Sequence, residues 1–166
     1  MDKNNRRSFT LVETLIVAVI ILLLSGTSMV MLTSYKDSNF LDSQVSLLTH
    51  IFELAKNKAV ASDVSLCSDS QTAYVSSYSV NVDSVEEDAK FIVLMPDCST
   101  TPFPQKYSIP DNIVYVTPTF SVRFDNKNYL GTTRKFPIMD TATKKCKYVQ
   151  IDEMGIITSG DYDPCP

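Results

Sequence analysis

Glu13 is the residue of this 166-residue chain whose setting most demands a chemical explanation. It is the one charge in the stretch Phe9 to Leu32, FTLVETLIVAVIILLLSGTSMVML, in which Leu15 to Leu24 is apolar without a break. A carboxylate in such a helix costs about 2.5–3.5 kcal/mol at a bilayer centre and less near its edge, so it asks for a positive charge inside the apolar layer. Cys67, Cys98, Cys146 and Cys165 could form disulfides in any of three pairings. They make no C-x-x-C, and with His50 as the single histidine, a zinc site or thiol oxidoreductase is not expected. Arg123, Lys127, Arg134, Lys135, Lys144, Lys145 and Lys147 against Asp125 and Asp140 give +5 over residues 123–147. That is the chemistry of phosphate contact, although Asp152, Glu153, Asp161 and Asp163 then give −4 over residues 148–166 with no cation.

Catalysis is not expected. The chain has no H-E-x-x-H, no G-x-S-x-G and no phosphate-cradling glycine loop, and it holds 4 glycines in all. The adjacent Glu86, Glu87 and Asp88 fall in a polar stretch where solvated charge is the ordinary reading. With a net charge of −4 and 44% hydrophobic residues, the composition suits one globular domain and excludes wholesale disorder.

The elements that must position these groups change character along the chain. Lys3, Arg6 and Arg7 against Asp2 give the first eight residues a charge of +2. The apolar stretch after them would be a helix roughly 36 Å long at ~1.5 Å per residue, enough to cross a hydrocarbon core of ~30 Å. The charge bias places the N-terminus in the cytoplasm and everything after Ser34 on the far side, where cysteines oxidise. Three other readings of the start compete: a secretory signal cut near LLLSGTS, a twin-arginine signal at RRSF, and a plain anchor, which leaves Glu13 unexplained.

Phe40 to Ala61 reads as an amphipathic helix. Leu41, Val45, Leu48, Phe52, Ala55 and Ala59 form its apolar stripe, and Ser43, Ser46, His50, Glu53 and Asn57 its polar side. From Asp63 onward short β-branched and aromatic runs predict strands at 64–67, 73–82, 90–95, 113–116, 120–124, 135–139, 147–151 and 155–158. Ser84 to Ala89 and Asp97 to Gln105 read as loops, and Asp152 to Gly155 as a hairpin turn with Gly155 supplying a positive φ.

Ser8-Phe9-Thr10-Leu11-Val12-Glu13 after a short basic leader and before an apolar helix resembles the signal of type IV prepilins and type II secretion pseudopilins. The resemblance implies cleavage between Ser8 and Phe9 by a prepilin peptidase, N-methylation of Phe9, and a role for Glu13 in setting assembly register against a neighbour's N-terminal amine. The chain departs from the family twice, with Ser8 where Gly precedes the cut and Val30 where Pro is common. Beyond the signal, LAKNKAVASDVSLC, FSVRFD, KFPIMD and KKCKYVQIDEMGIITSG resemble the GspH/FimT type of minor pseudopilin.

That resemblance implies an α+β, pilin-like fold: a long N-terminal membrane-spanning helix packed on a C-terminal antiparallel β-sheet head. Its parts would be a leader at 1–8, a transmembrane and assembly half-helix at 9–34, an amphipathic half-helix at 35–61 and an extracytoplasmic head at 62–166. It also implies pairing of Cys146 with Cys165, as in the C-terminal disulfide of many pilins, leaving Cys67 with Cys98. The expected function is that of a minor pilin or pseudopilin that assembles into, or primes, a type II secretion pseudopilus or a type IV pilus. The alternatives are a DNA-capturing minor pilin and an anchored β-domain that never polymerises. Expected partners are the prepilin peptidase and N-methyltransferase, other pilins, the inner-membrane assembly platform and the lipid bilayer, with no cofactor. DNA is not expected, because removing the leader makes the mature side chains −6 in sum and the C-terminus, GIITSGDYDPCP, has no Lys or Arg.

Overall fold

A computed structural model describes residues 11–69, 71–83, 90–126, 129 and 131–165, with side chains of 25–38 and of Asp83 outside that description. The chain divides into two compact units, residues 1–39 and 40–166. Helix α1 (Leu11–Val60) supplies the described part of the first and the opening of the second.

In the second unit α1 is amphipathic, as its sequence spacing requires. Leu41, Val45, Leu48, Phe52, Ala55 and Ala59 are all buried, while Ser43, Ser46, His50, Glu53 and Asn57 are exposed. Gln44 and Ile51 join the buried side and widen the stripe. The helix stops because Ser62 takes a left-handed conformation (φ 50°). The Asp63 amide then donates to the Lys58 carbonyl at 3.0 Å and the Ser62 amide to that of Ala59 at 3.1 Å, a Schellman closure with Ser in the position that usually carries Gly. An ion pair between Lys58 and Asp63 and the Tyr78 hydroxyl, which donates to the Asp63 carbonyl at 2.5 Å, fasten this turn to the sheet. Burial, followed by the charge of Asp63, pushes the Tyr78 phenol up to about 12.

Eight strands follow: β1 (Val75–Asp83), β2 (Phe91–Cys98), β3 (Gln105–Ser108), β4 (Ile113–Tyr115), β5 (Thr119–Asp125), β6 (Arg134–Asp140), β7 (Cys146–Ile151) and β8 (Ile157–Asp161). They form two four-stranded antiparallel sheets, β3-β2-β1-β5 and β4-β6-β7-β8, where the sequence predicts one. The chain changes sheet within Val116-Thr117-Pro118, between β4 and β5, where Pro118 has no N–H to extend a ladder. Pro96 and Pro137 sit inside central strands for a related reason. Strand β3 pairs with 91–94 and β4 with 138–140, so each proline lies just past the end of the shorter outer strand, where no donor is required.

Three further expectations are corrected. Residues 64–67 form a turn with an isolated bridge from Cys67 to Pro102 instead of a strand. Part of the expected loop 97–105 is ordered pairing: Asp97 and Cys98 finish β2, Gln105 opens β3, and Ser68 and Phe103 exchange backbone bonds with Thr101 and Leu66 across the bridge. The turn before β8 is present, with Gly155 at φ 72°, but the last strand runs over 157–161 and not 155–158. The expected loop at Ser84 to Ala89 lies outside the described residues.

An aromatic seam joins helix and sheets. Phe52 of α1 meets Phe124 of β5 with ring centroids 6.3 Å apart and Phe136 of β6 at 5.5 Å, and Phe120 of β5 stacks on Phe136 at 4.4 Å. These rings belong to one continuous core that draws on α1 and both sheets. Disulfides Cys67–Cys98 and Cys146–Cys165 staple its margins, with Cα separations of 6.1 and 5.6 Å.

Candidate functional site

The first unit carries the motif region. From Leu11 to Leu24 every side chain is exposed, the large apolar ones from Val19 at 47% to Leu11 at 80%, and consecutive positions such as Ile20 to Leu24 point to all sides of the helix. A helix apolar all round belongs inside a membrane or among other helices. Glu13 sits in its first turn, where an acidic side chain suits the positive end of the helix dipole. Ser8 and Phe9, the expected cleavage and methylation residues, lie outside the described residues.

The expected membrane span at 9–34 is not reproduced: among the described residues, no helix is long and apolar enough to cross a membrane. Leu11 to Leu24 measures roughly 21 Å at ~1.5 Å per residue, short of a ~30 Å hydrocarbon core. The remainder of the expected span depends on side chains outside the description.

In the second unit the basic segment is not one patch. Arg123 lies on β5, Arg134 and Lys135 on β6, Lys144 and Lys145 in the β6–β7 turn and Lys147 on β7, while Lys127 lies outside the described residues. Two of these cations are paired. The Arg123 guanidinium reaches Asp97 Oδ2 at 2.7 Å and donates from Nε to Ser77 Oγ at 2.8 Å, and Ser76 Oγ donates to the same carboxylate at 2.7 Å. Lys147 Nζ stands 2.6 Å from Asp42 Oδ1 of α1 and 3.0 Å from Asp161 Oδ1 of β8. Those bonds, Asp42 first and Asp161 second, hold the Lys147 pKa above the ordinary lysine value. Lys147 is therefore a bridge between helix and sheet edge. Arg134, Lys135, Lys144 and Lys145 have no ion pair among the described residues, and the Lys135 ammonium rests 4.8 Å from the centre of the Tyr148 ring.

Several groups outside the sequence-based candidates shape the head. Asp140 is buried at the start of the β6–β7 turn and accepts from the Ala142 amide at 2.9 Å, the Thr143 hydroxyl at 2.8 Å and the Asn112 amide at 3.4 Å. Burial works to raise its pKa, but these bonds outweigh it and hold the carboxyl below the usual range. The signal was present in Asp-Thr-Ala-Thr, a side chain with donors two and three residues on, which is turn chemistry. Tyr148 and Tyr162 meet edge to face at 6.1 Å and, with Lys135 and Asp163, border an open cleft of about 430 Å³. No sequence signal joined them, because the cleft exists only once the tail is stapled by Cys146–Cys165. His50 is exposed on α1, and among the described residues no cluster of His, Cys, Asp and Glu could hold a metal ion.

No curated protein and no solved structure matches the chain. One family does, through its prokaryotic N-terminal methylation motif, over residues 3–29, which takes in the basic leader, Phe9, Glu13 and the apolar run. The match covers this N-terminal motif and none of the head.

Proposed function

We propose that the chain is a minor pilin or pseudopilin subunit of the GspH/FimT type, which assembles into, or primes, a type II secretion pseudopilus or type IV pilus. A prepilin peptidase cuts between Ser8 and Phe9 and the new amine is methylated. The helix from Phe9 to Ser34 waits in the bacterial inner membrane with its N-terminus cytoplasmic, and the head lies outside until the assembly platform adds the subunit to a filament. Neighbouring helices then cover the apolar side chains, and a neighbour's N-terminal amine pairs with Glu13. A buried ion pair is tolerated only when both partners are in place, so the pair selects one register. The observation that carries this reading is the methylation motif at 3–29 running directly into an apolar helix that its own chain leaves uncovered.

Intact-mass and N-terminal analysis of the protein expressed with and without a prepilin peptidase tests it. The expected product starts at N-methyl-Phe9 and forms only with the peptidase, and Ser8→Gly speeds its formation. A chain that keeps Met1 in both wild type and Ser8→Gly would favour a static anchored domain, and a cut between Ser25 and Ser28 would identify a secretory signal. Either result overturns the proposal.

A further inference from the structure

A sheet leaves backbone groups free only at its edges, and proteins usually blunt those edges with Pro, Lys, short strands or a covering segment. Three of the four edge strands of the head are blunted in this way. Strand β3 follows Pro104 directly and carries Lys106, β4 has three residues, and β5 is met at Phe124 by an isolated bridge from Tyr129. Strand β8, Ile157-Thr158-Ser159-Gly160-Asp161, has five residues and contains neither Pro nor Lys.

The pairing of β8 with β7 fixes which of its groups are free. In an antiparallel ladder, pairs that exchange hydrogen bonds alternate with pairs that do not. The Tyr162 amide donates to the Cys146 carbonyl and the Asp152 amide to the Ile156 carbonyl, both at 3.1 Å, so Tyr162 and Ile156 mark the bonded phase at the two ends of β8. Gly160 with Tyr148 and Thr158 with Gln150 fall in the same phase. Ile157, Ser159 and Asp161 therefore turn their N–H and C=O groups away from β7, and no described residue bonds to those groups. Beside this edge runs a groove of about 300 Å³ lined by Asp42, Val45, Ser46 and Thr49 of α1 and by Ser159 and Asp161 of β8. Asp42 and Asp161 share the single ammonium of Lys147, which leaves that group of three side chains with a surplus negative charge.

We propose that the free edge of β8 is a strand-addition site for an extended segment of another protein that carries a Lys or Arg. The segment pairs with Ile157, Ser159 and Asp161 as a fifth strand, and every second side chain enters the groove beside α1. The occupant is a polypeptide because an extended strand repeats its N–H and C=O groups at the two-residue spacing that β8 presents. The surplus negative charge at Asp42 and Asp161 selects the cation. This inference does not rest on the filament reading above.

The test measures binding of a fluorescently labelled, end-capped peptide, Thr-Val-Thr-Lys-Thr-Val-Thr, to the uncut full-length chain in detergent micelles by fluorescence anisotropy. Its central Lys, with a Val two residues to either side, suits either direction of the added strand. Saturable binding is expected. N-methylation of one alternate set of peptide amides should weaken it at least about ten-fold, and N-methylation of the other set, which faces solvent, should leave it within about two-fold. Replacing the peptide's Lys by Glu should also weaken it at least about ten-fold. Ser159→Pro removes an N–H that β7 does not use, so the variant should keep the wild-type urea-unfolding transition and lose the peptide. The N-methylated peptides are read on the wild-type chain and decide the matter even where the variant fails to fold. Absence of saturable binding, equal binding of the two N-methylated peptides, or full binding by folded Ser159→Pro overturns the proposal. So does a wild-type dimer that Ser159→Pro dissolves and that ignores the peptide, which would assign the edge to a second copy of the chain.

Discussion

Replacing Phe52 by Ala should separate the helix from both sheets at once. The ring is fully buried and touches Phe124 of one sheet and Phe136 of the other, so no single neighbouring side chain can move in to fill its place. Truncating a buried Phe costs about 3–5 kcal/mol, and two ring contacts worth ~0.5–1.5 kcal/mol each put this site in the upper half of that range. A loss of about 4 kcal/mol is a large share of the ~5–15 kcal/mol that holds a typical domain together. Phe52→Leu keeps much of the volume, loses the ring contacts and should cost about 1.5 kcal/mol. The assay is urea unfolding of the full chain in micelles, followed by tyrosine fluorescence, since the sequence has no Trp and buries Tyr78 and Tyr115 in this core. His50→Ala, on the exposed side of the same helix, is the control and should stay within ~0.5 kcal/mol. A Phe52→Ala loss below about 1 kcal/mol would mean that the seam is not the joint between helix and sheets.

Three further outcomes follow from the same geometry. Ser62→Gly should stabilise the head by about 0.5–1 kcal/mol, because an exposed side chain is strained at φ 50° and Gly is not, and the midpoint of urea unfolding would register it. Asp140 has a folded pKa held below its unfolded value of ~3.9, so its contribution is complete above that pH and disappears as pH falls through the folded pKa. Asp140→Ala should accordingly cost about 1–3 kcal/mol at pH 7 and flatten the acid limb of the stability curve measured by thermal unfolding. Glu13→Ala should insert into membranes as wild type does yet assemble poorly, with fractionation and filament shearing as the two readouts; equal assembly would remove Glu13 from the register role.

How much of this was legible depended on whether a residue's partner was local. The stripe from Leu41 to Ala59 was readable because a helix repeats its environment every three or four residues, and the turn at Gly155 because its chemistry is contained in four residues. The two sheets were not readable as two. Pro118 looked like any break between strands, and nothing within a short window says whether the next strand rejoins the last sheet or starts another. Strand β3, Gln105 to Ser108, has no alternating apolar pattern: it is an edge strand with one apolar residue, Tyr107, against the core, and its ladder to β2 defines it. The disulfide pairs Cys67–Cys98 and Cys146–Cys165 are long-range facts of the same sort, and the spacing of the cysteines left all three pairings open.

Charge shows the limit most clearly. Summed along the chain, residues 123–147 are a +5 segment and suggest a single basic surface. In the folded head Arg123 answers Asp97 on the first sheet, and Lys147, counted as one more cation, is instead a tie between Asp42 of the helix and Asp161 of the last strand. The cations without an ion pair among the described residues fall at two separate places, Arg134 and Lys135 at the start of β6 and Lys144 and Lys145 in the turn after it, and not in one row. The subtraction breaks up the single basic surface that the sum along the chain suggests. Glu13 obeys the same logic at the other end of the chain. Its sequence context states that a positive charge is required, and the methylation motif explains how a processed N-terminus would provide one.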